Sequence, residues 1–204
     1  MDFNRRLHAI GLHAPRLAAL ASAMIVALAA ALFLPASRAQ AASSSQYTVQ
    51  EIIDAGHDFF GSTSGGMAKV VENAFAQYGL PNGYILGQEG SGAFIAGLTY
   101  GEGSLYTKNI GQHDLYWQGP SLGLDYGGQG SRVMMLVYDL PSLDALYDRY
   151  GGVSGSAYVV AGVGMTVLKS HDVIIVPIRT GIGARLGLNV GYLKLSAQPT
   201  WNPF

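Results

Sequence analysis

Five consecutive apolar residues, Val133-Met-Met-Leu-Val137, sit inside the run Ser131–Tyr138. A half-buried strand alternates apolar and polar residues, whereas an unbroken apolar strand requires cover on both faces. This strand therefore needs layers of chain on either side, and the rest of the molecule must supply them. It follows the glycine-rich turn Gly127-Gly-Gln-Gly130 and leads into Asp139-Leu-Pro-Ser-Leu-Asp-Ala-Leu-Tyr147. There Asp139 is placed to cap a helix and Pro141 suits its first turn. Leu140, Leu143, Leu146 and Tyr147 give that helix an apolar face, and Gly151-Gly152 end it. One short helix after the central strand is expected.

The cover comes from more strands. Of the 204 residues, 28 are glycine and only 12% are charged, and the glycines are scattered among β-branched and aromatic residues, as tight turns and crowded strands require. From Gly83 onward, Tyr84–Gln88, Ala93–Tyr100, Ser104–Lys108, His113–Gln118 and Leu122–Tyr126 are short runs separated by glycine-rich hairpin signals. Beyond the central strand come Ala157–Val163, Gly164–Lys169, Val173–Ile178 and a bent or split Gly181–Leu195. In the last, Ile182, Ala184, Leu186, Leu188 and Val190 alternate with Gly183, Gly187 and Gly191. Glycine repeated on one strand face weakens the strand unless another backbone or a packed group approaches closely, as at a barrel corner. Many short strands with few helices predict a mainly β chain: a small, mostly antiparallel β-barrel.

Two helices precede it. Thr48-Val-Gln-Glu51 has capping-box spacing, and Val49, Ile52, Ile53, Phe59 and Phe60 recur at helical intervals. A second helix carries Met67, Val70, Val71, Ala74, Phe75 and Tyr78 on one face and stops at Gly79 and Pro81. Farther upstream, Arg5, Arg6 and Arg16 precede an apolar run from Leu17 to Leu34, followed by Pro35-Ala-Ser-Arg-Ala-Gln-Ala-Ala. Basic flank, apolar core and small residues match a cleaved secretory signal peptide over residues 1–39. Residues 40–47 form a flexible tether, and 48–204 a single barrel domain. Four of the twelve basic and one of the thirteen acidic residues fall within 1–39, so the exported chain carries eight against twelve, a net charge of −4. A periplasmic location is expected.

The chemistry-bearing residues are sparse. There is no cysteine, which excludes disulfides, thiolate metal sites and cysteine nucleophiles. Without a basic stripe there is no footprint for nucleic acid. His113-Asp114 and His171-Asp172 are neighbours whose side chains point to opposite faces if they lie in strands, so neither pair converges on one ion. No G-x-S-x-G elbow is completed, and Gly127-Gly-Gln-Gly130 and Gly181-Ile-Gly183 open strands rather than phosphate-binding helices. No metal site, cofactor or enzymatic activity is expected. Tyrosines and Trp117 are dense in or beside strands and suit a half-wet ligand surface. The candidate ligand-binding residues are Tyr84, Tyr100, Tyr106, Trp117, Tyr126, Gly128 and Gly130. A terminal Phe204 matches an outer-membrane barrel signal, but Pro203 breaks the alternating last strand that such a signal needs.

Several segments together carry a family likeness: Tyr84-Ile-Leu-Gly-Gln-Glu-Gly-Ser-Gly-Ala-Phe, Leu105-Tyr-Thr-Lys, Trp117-Gln-Gly-Pro-Ser-Leu-Gly-Leu-Asp, Gly128-Gln-Gly-Ser-Arg, Ala161-Gly-Val-Gly and Ile174-Val-Pro-Ile-Arg-Thr-Gly-Ile-Gly-Ala-Arg-Leu-Gly-Leu-Asn. With them the chain resembles the EipA (envelope integrity protein A) family, from about Thr48 to Leu195. The resemblance implies a small β-barrel in the Gram-negative periplasm that maintains the cell envelope without enzymatic activity. A more distant likeness to SYLF domains, in Gly127-Gly-Gln-Gly130, Leu143-Asp-Ala-Leu146 and Ala161-Gly-Val-Gly164, implies lipid binding. The expected partners are accordingly a lipid or envelope polymer, or envelope proteins. The rival readings are a protein-interaction scaffold and a hydrolase whose site is assembled from distant residues.

Overall fold

The computed structural model describes residues 45–61, 66–91, 98–120, 131–180, 191–200 and 202. The expected signal peptide, tether residues 40–44, Tyr126, Gly128, Gly130, the strand at 122–126 and most of the alternating segment 181–195 lie outside the described residues.

Two helices open the described chain. In α1 (Val49–Phe60) the expected capping box is formed. The Glu51 amide donates to Thr48 Oγ1, and the Thr48 amide donates to Glu51 Oε2 at 2.7 Å. Lys108 Nζ reaches Glu51 Oε1 at 2.7 Å and ties this helix end to the sheet. Helix α2 (Met67–Tyr78) ends at Gly79, whose φ of 76° is the left-handed turn that glycine adopts without strain.

Ten strands follow: β1 (Gly83–Ser91), β2 (Leu98–Thr107), β3 (Gly111–Pro120), β4 (Ser131–Tyr138), β5 (Arg149–Gly152), β6 (Tyr158–Val160), β7 (Val163–Met165), β8 (Leu168–Ser170), β9 (Val173–Thr180) and β10 (Tyr192–Ser196). The sheet order is β4-β1-β2-β3-β10-β5-β8-β9, and β9 pairs again with β4. All these pairings are antiparallel. They close an eight-stranded barrel, a size whose interior side chains alone can fill. The β6–β7 hairpin extends the sheet from the far half of β9. Asn82 clips the seam: its amide side chain donates to the Leu140 carbonyl and accepts from the Leu140 N–H.

Strand β4 has the double burial its composition demands. Val133, Met135 and Val137 join Ile85, Leu105, Leu115, Trp117, Tyr150, Leu168, Ile175, Leu193 and Leu195 inside the barrel. Met134, Leu136 and Tyr138 point outward, where Ile52 of α1 and Met67, Val70, Val71 and Ala74 of α2 cover them together with Val176 and Ile178. Inside, Trp117 fits because its neighbours lack side chains: a Cβ at Gly101 would fall within the indole, and one at Gly87 would lie 2.6 Å from its edge.

Near one end the interior holds a charged pair. Arg179, almost fully buried, donates from Nε to Glu89 Oε1 at 2.5 Å and from its terminal amine to Oε2 at 3.0 Å. The indole N–H of Trp117 points to the same carboxylate at 3.4 Å. Two parallel donors from one planar guanidinium give the geometry in which a desolvated pair best offsets its hydration loss.

Four expectations change. The runs expected at Ala93–Tyr100 and Ser104–Lys108 are not separated by a hairpin: β2 passes straight through Gly101-Glu102-Gly103, which pair in register with β1 and β3. The helix expected after β4 is a single 3₁₀ turn, Asp144–Leu146. Asp139 does not cap it, because it adopts φ 56° and the following N–H is taken by Asn82. The chain must instead return to the barrel at once: β5 drives Tyr150 into the core, where its hydroxyl donates to the Leu146 carbonyl at 3.1 Å. The expected strand Ala157–Val163 is a hairpin turning at Ala161 and Gly162, both at positive φ as a tight hairpin turn requires. The expected strand Gly164–Lys169 is correspondingly divided between β7 and β8, which both pair with β9.

Three outcomes follow from this packing. Glu89→Gln leaves a buried guanidinium uncompensated and should cost about 3–5 kcal/mol in urea unfolding; adding Arg179→Met should recover most of the loss. Gly101→Ala forces the indole aside and should cost about 1–3 kcal/mol by the same assay. Glu51 is held down to about 2, from 4.5, chiefly by the hydrogen bond from Lys108 and then by the Thr48 amide. A carboxylate depressed on folding stabilises above its unfolded value and loses that contribution as pH falls toward its folded one. The protection of α1 amides against hydrogen exchange, relative to the intrinsic rate at each pH, should therefore fall between about pH 4.5 and pH 2, and Glu51→Gln should flatten that dependence.

Candidate functional site

The helices' apolar core reaches the outward face of β1 at Tyr84 and Leu86 but takes in no residue of β2 or β3. Here three residues from each strand stand in register. Gln88, Glu102 and Tyr116 form one row; Glu89, Gly101 and Trp117 the next; Gly90, Tyr100 and Gln118 the third. Pro199 and Thr200 of the C-terminal segment flank this patch, enclosing a groove of about 380 Å³, within the range of about 300–1,000 Å³ typical of ligand sites. Strand parity puts the first and third rows outward, because Ile85, Leu105, Leu115 and Trp117 point into the barrel. The segment beyond β10 is fastened by Lys194 Nζ, which donates to the Asn202 carbonyl at 2.8 Å.

Glycine makes the depression. Gly90 faces outward across from Tyr100, and a Cβ there would meet nothing within 4 Å. A second groove of about 380 Å³ adjoins the first, sharing Gln88, Glu102 and Tyr116 and running on past Ser104 and Asp114 to Phe59 at the end of α1. Together they make an elongated trough across the strands.

The trough's polar groups are carboxylates, amides and hydroxyls. Neither Lys nor Arg lines it among the described residues. Arg132, opposite Gln88 on β4, is committed to Phe59, donating to its carbonyl at 2.6 Å and lying over its ring. Gln118 is 1% exposed, yet its Oε1 has no hydrogen-bond partner. A buried acceptor left unmade costs the desolvation of that atom, about 1–3 kcal/mol. No group of three or more histidines, aspartates and glutamates is arranged to hold a metal among the described residues. The trough can bind, through aromatic faces and neutral hydrogen-bonding groups.

The residues singled out from the sequence are not all in one place. Tyr100 lines the groove. Trp117 belongs to the floor strand with its indole in the core. Tyr84 and Tyr106 lie farther along the same outer face, stacked at 5.1 Å, with the Tyr47 ring set edge-on against Tyr84 at 4.9 Å. Burial in this cluster pushes the Tyr47 hydroxyl up to about 12 and raises that of Tyr84. These two rings dock the N-terminal segment. Gln88, Glu102, Gln118 and Thr200 carry no sequence signal of their own, and Tyr116 only that of a tyrosine in a strand; the alternation Tyr116-Trp117-Gln118, with Trp117 assigned to the core, places Tyr116 and Gln118 on the outer face.

A second cluster bears on hydrolysis. Ser170 Oγ donates to Asp148 Oδ2 at 2.5 Å, and His171 Nδ1 lies 3.1 Å from the same oxygen and 3.2 Å from Ser170 Oγ. In a nucleophilic triad the two histidine nitrogens separate serine from aspartate. Here both neighbours share Nδ1 and the serine proton is held by the carboxylate, so the hydroxyl is not activated. The Ser170 hydrogen bond, then the Arg149 amide, lower the Asp148 carboxyl below its ordinary value. His171 is 87% exposed, in a turn at φ 50°. The cluster fastens β8 to the chain before β5.

No curated protein matches the chain. A crystal structure of a β-barrel-like, uncharacterized protein from Brucella abortus matches with a TM-score of 0.76 and 71% identity, covering 78% of this chain and 99% of that one. The family model described as envelope integrity protein A matches residues 45–204. The chain belongs to the envelope integrity protein A family.

Proposed function

We propose that this is a non-enzymatic periplasmic protein that supports the integrity of the cell envelope by binding an envelope component on the outer surface of its barrel. The family match supports the envelope role. The observation that carries binding is the trough across β1–β3, which has aromatic, amide and carboxylate walls and a buried, unpaired acceptor on Gln118. The inward side chains of the described strands pack on one another around Trp117 and Tyr150, which favours the outer face over the interior for a ligand. That face carries Gln88, Glu102, Ser104 and Asp114 rather than the apolar band of a barrel facing lipid. The Asp148–Ser170–His171 geometry supports the non-enzymatic reading.

The test joins location to phenotype. After osmotic shock the protein should appear in the periplasmic fraction with an N-terminus at Gln40 or Ala42. A deletion strain should be more sensitive to deoxycholate than its parent, and the wild-type gene should restore resistance. An unaltered deletion strain would sink the envelope role.

A further inference from the structure

We propose that the trough across β1–β3 binds a neutral glycan, so that the envelope component of the reading above, on which this inference rests, is carbohydrate rather than lipid or protein. Three observations select that chemistry. First, the walls pair aromatic rings with side-chain amides: Tyr100 and Tyr116 stand beside Gln88 and Gln118. A sugar ring offers apolar C–H faces that stack on aromatic rings and a rim of hydroxyls that both donate and accept, and amides meet both needs. Second, the charge is wrong for anions. Glu102 and Asp114 line the trough, whereas Arg132 is engaged by Phe59 and Arg179 by Glu89 inside the barrel. A phosphate or carboxylate would meet like charge, and among the described residues no guanidinium lines the trough to clamp it. Third, Gln118 holds an acceptor with no donor. Its terminal torsion is soft, so the amide turns toward the groove and takes a hydroxyl proton when one is offered there. The adjoining grooves share three residues and together suit consecutive units of a chain rather than a single compact molecule.

Two substitutions separate recognition from folding. A Cβ at Gly90 meets nothing within 4 Å and its backbone is outside the left-handed region, so Gly90→Trp fills the groove without disturbing the barrel. Gln118→Met removes an unsatisfied buried acceptor while keeping its volume, a change that leaves stability equal or raises it. The exported protein would be screened on an array of neutral and anionic oligosaccharides and on vesicles containing phosphatidylglycerol, with titration calorimetry on any glycan retained. The expected result is retention of at least one neutral oligosaccharide, weakened tenfold or more by both variants while their melting temperatures hold or rise. The inference is overturned by absence of neutral-glycan binding, by binding that Gly90→Trp leaves intact, or by retention confined to anionic sugars or vesicles. In the deletion strain, Gly90→Trp should fail to restore deoxycholate resistance. Full restoration by Gly90→Trp would overturn the glycan site and leave the envelope role standing, whereas a deletion strain without a phenotype fails that role itself.

Discussion

The structure depends on burying β4 on both faces. Its odd-numbered residues need an interior and its even-numbered residues need an exterior layer, and no single sheet surface supplies both. Closing the sheet through the β4–β1 and β4–β9 pairings makes the interior, and laying α1 and α2 over the even face makes the exterior. The helix core extends onto the neighbouring strand β1 only as far as Tyr84 and Leu86, so β2 and β3 keep an outer face outside it. The trough begins beside Phe59 at the end of α1 and runs away from the helices.

The interior adds a second constraint. Trp117 is too large for an eight-stranded barrel unless neighbouring strands give up side chains, and Gly87 and Gly101 do so. The same relief thins β2 at the level of the groove, where Gly101 belongs to the floor. Core packing and groove shape are thus two sides of one sheet segment, and the Glu89–Arg179 pair sits directly behind it. A buried pair of this kind is weak evidence for stability, but it ties β1 to β9, and a slip of either strand would separate the charges.

How much of this was legible follows from the range of each cause. The capping box at Thr48, the amphipathic faces of α1 and α2, the stop at Gly79 and the doubly buried β4 are local or periodic signals, and each stands as read. In the segment after β4, Asp139, Pro141 and four apolar residues mimic a helix; the pull of Tyr150 into the core is a tertiary effect with no local trace. The groove was harder still. Gln88, Tyr100 and Gln118 meet only through strand register, and register is set by cross-strand packing. Tyr84 and Tyr106 share Tyr100's composition, yet contact with Tyr47 gives them a different task.

The closing pair β4–β9 also sets a kinetic order. Strand β4 binds β1 some fifty residues before it and β9 some forty after it, and β3 finds its outer neighbour only in β10. Loops of that length must close before the core they enclose can reward them, which makes folding slow relative to local structure. Until Ser196 is available the barrel has an open edge, so the chain reaches its native state only when nearly all of it is present. Closure of the barrel is therefore a late, nearly whole-chain event rather than one that an N-terminal portion can complete alone.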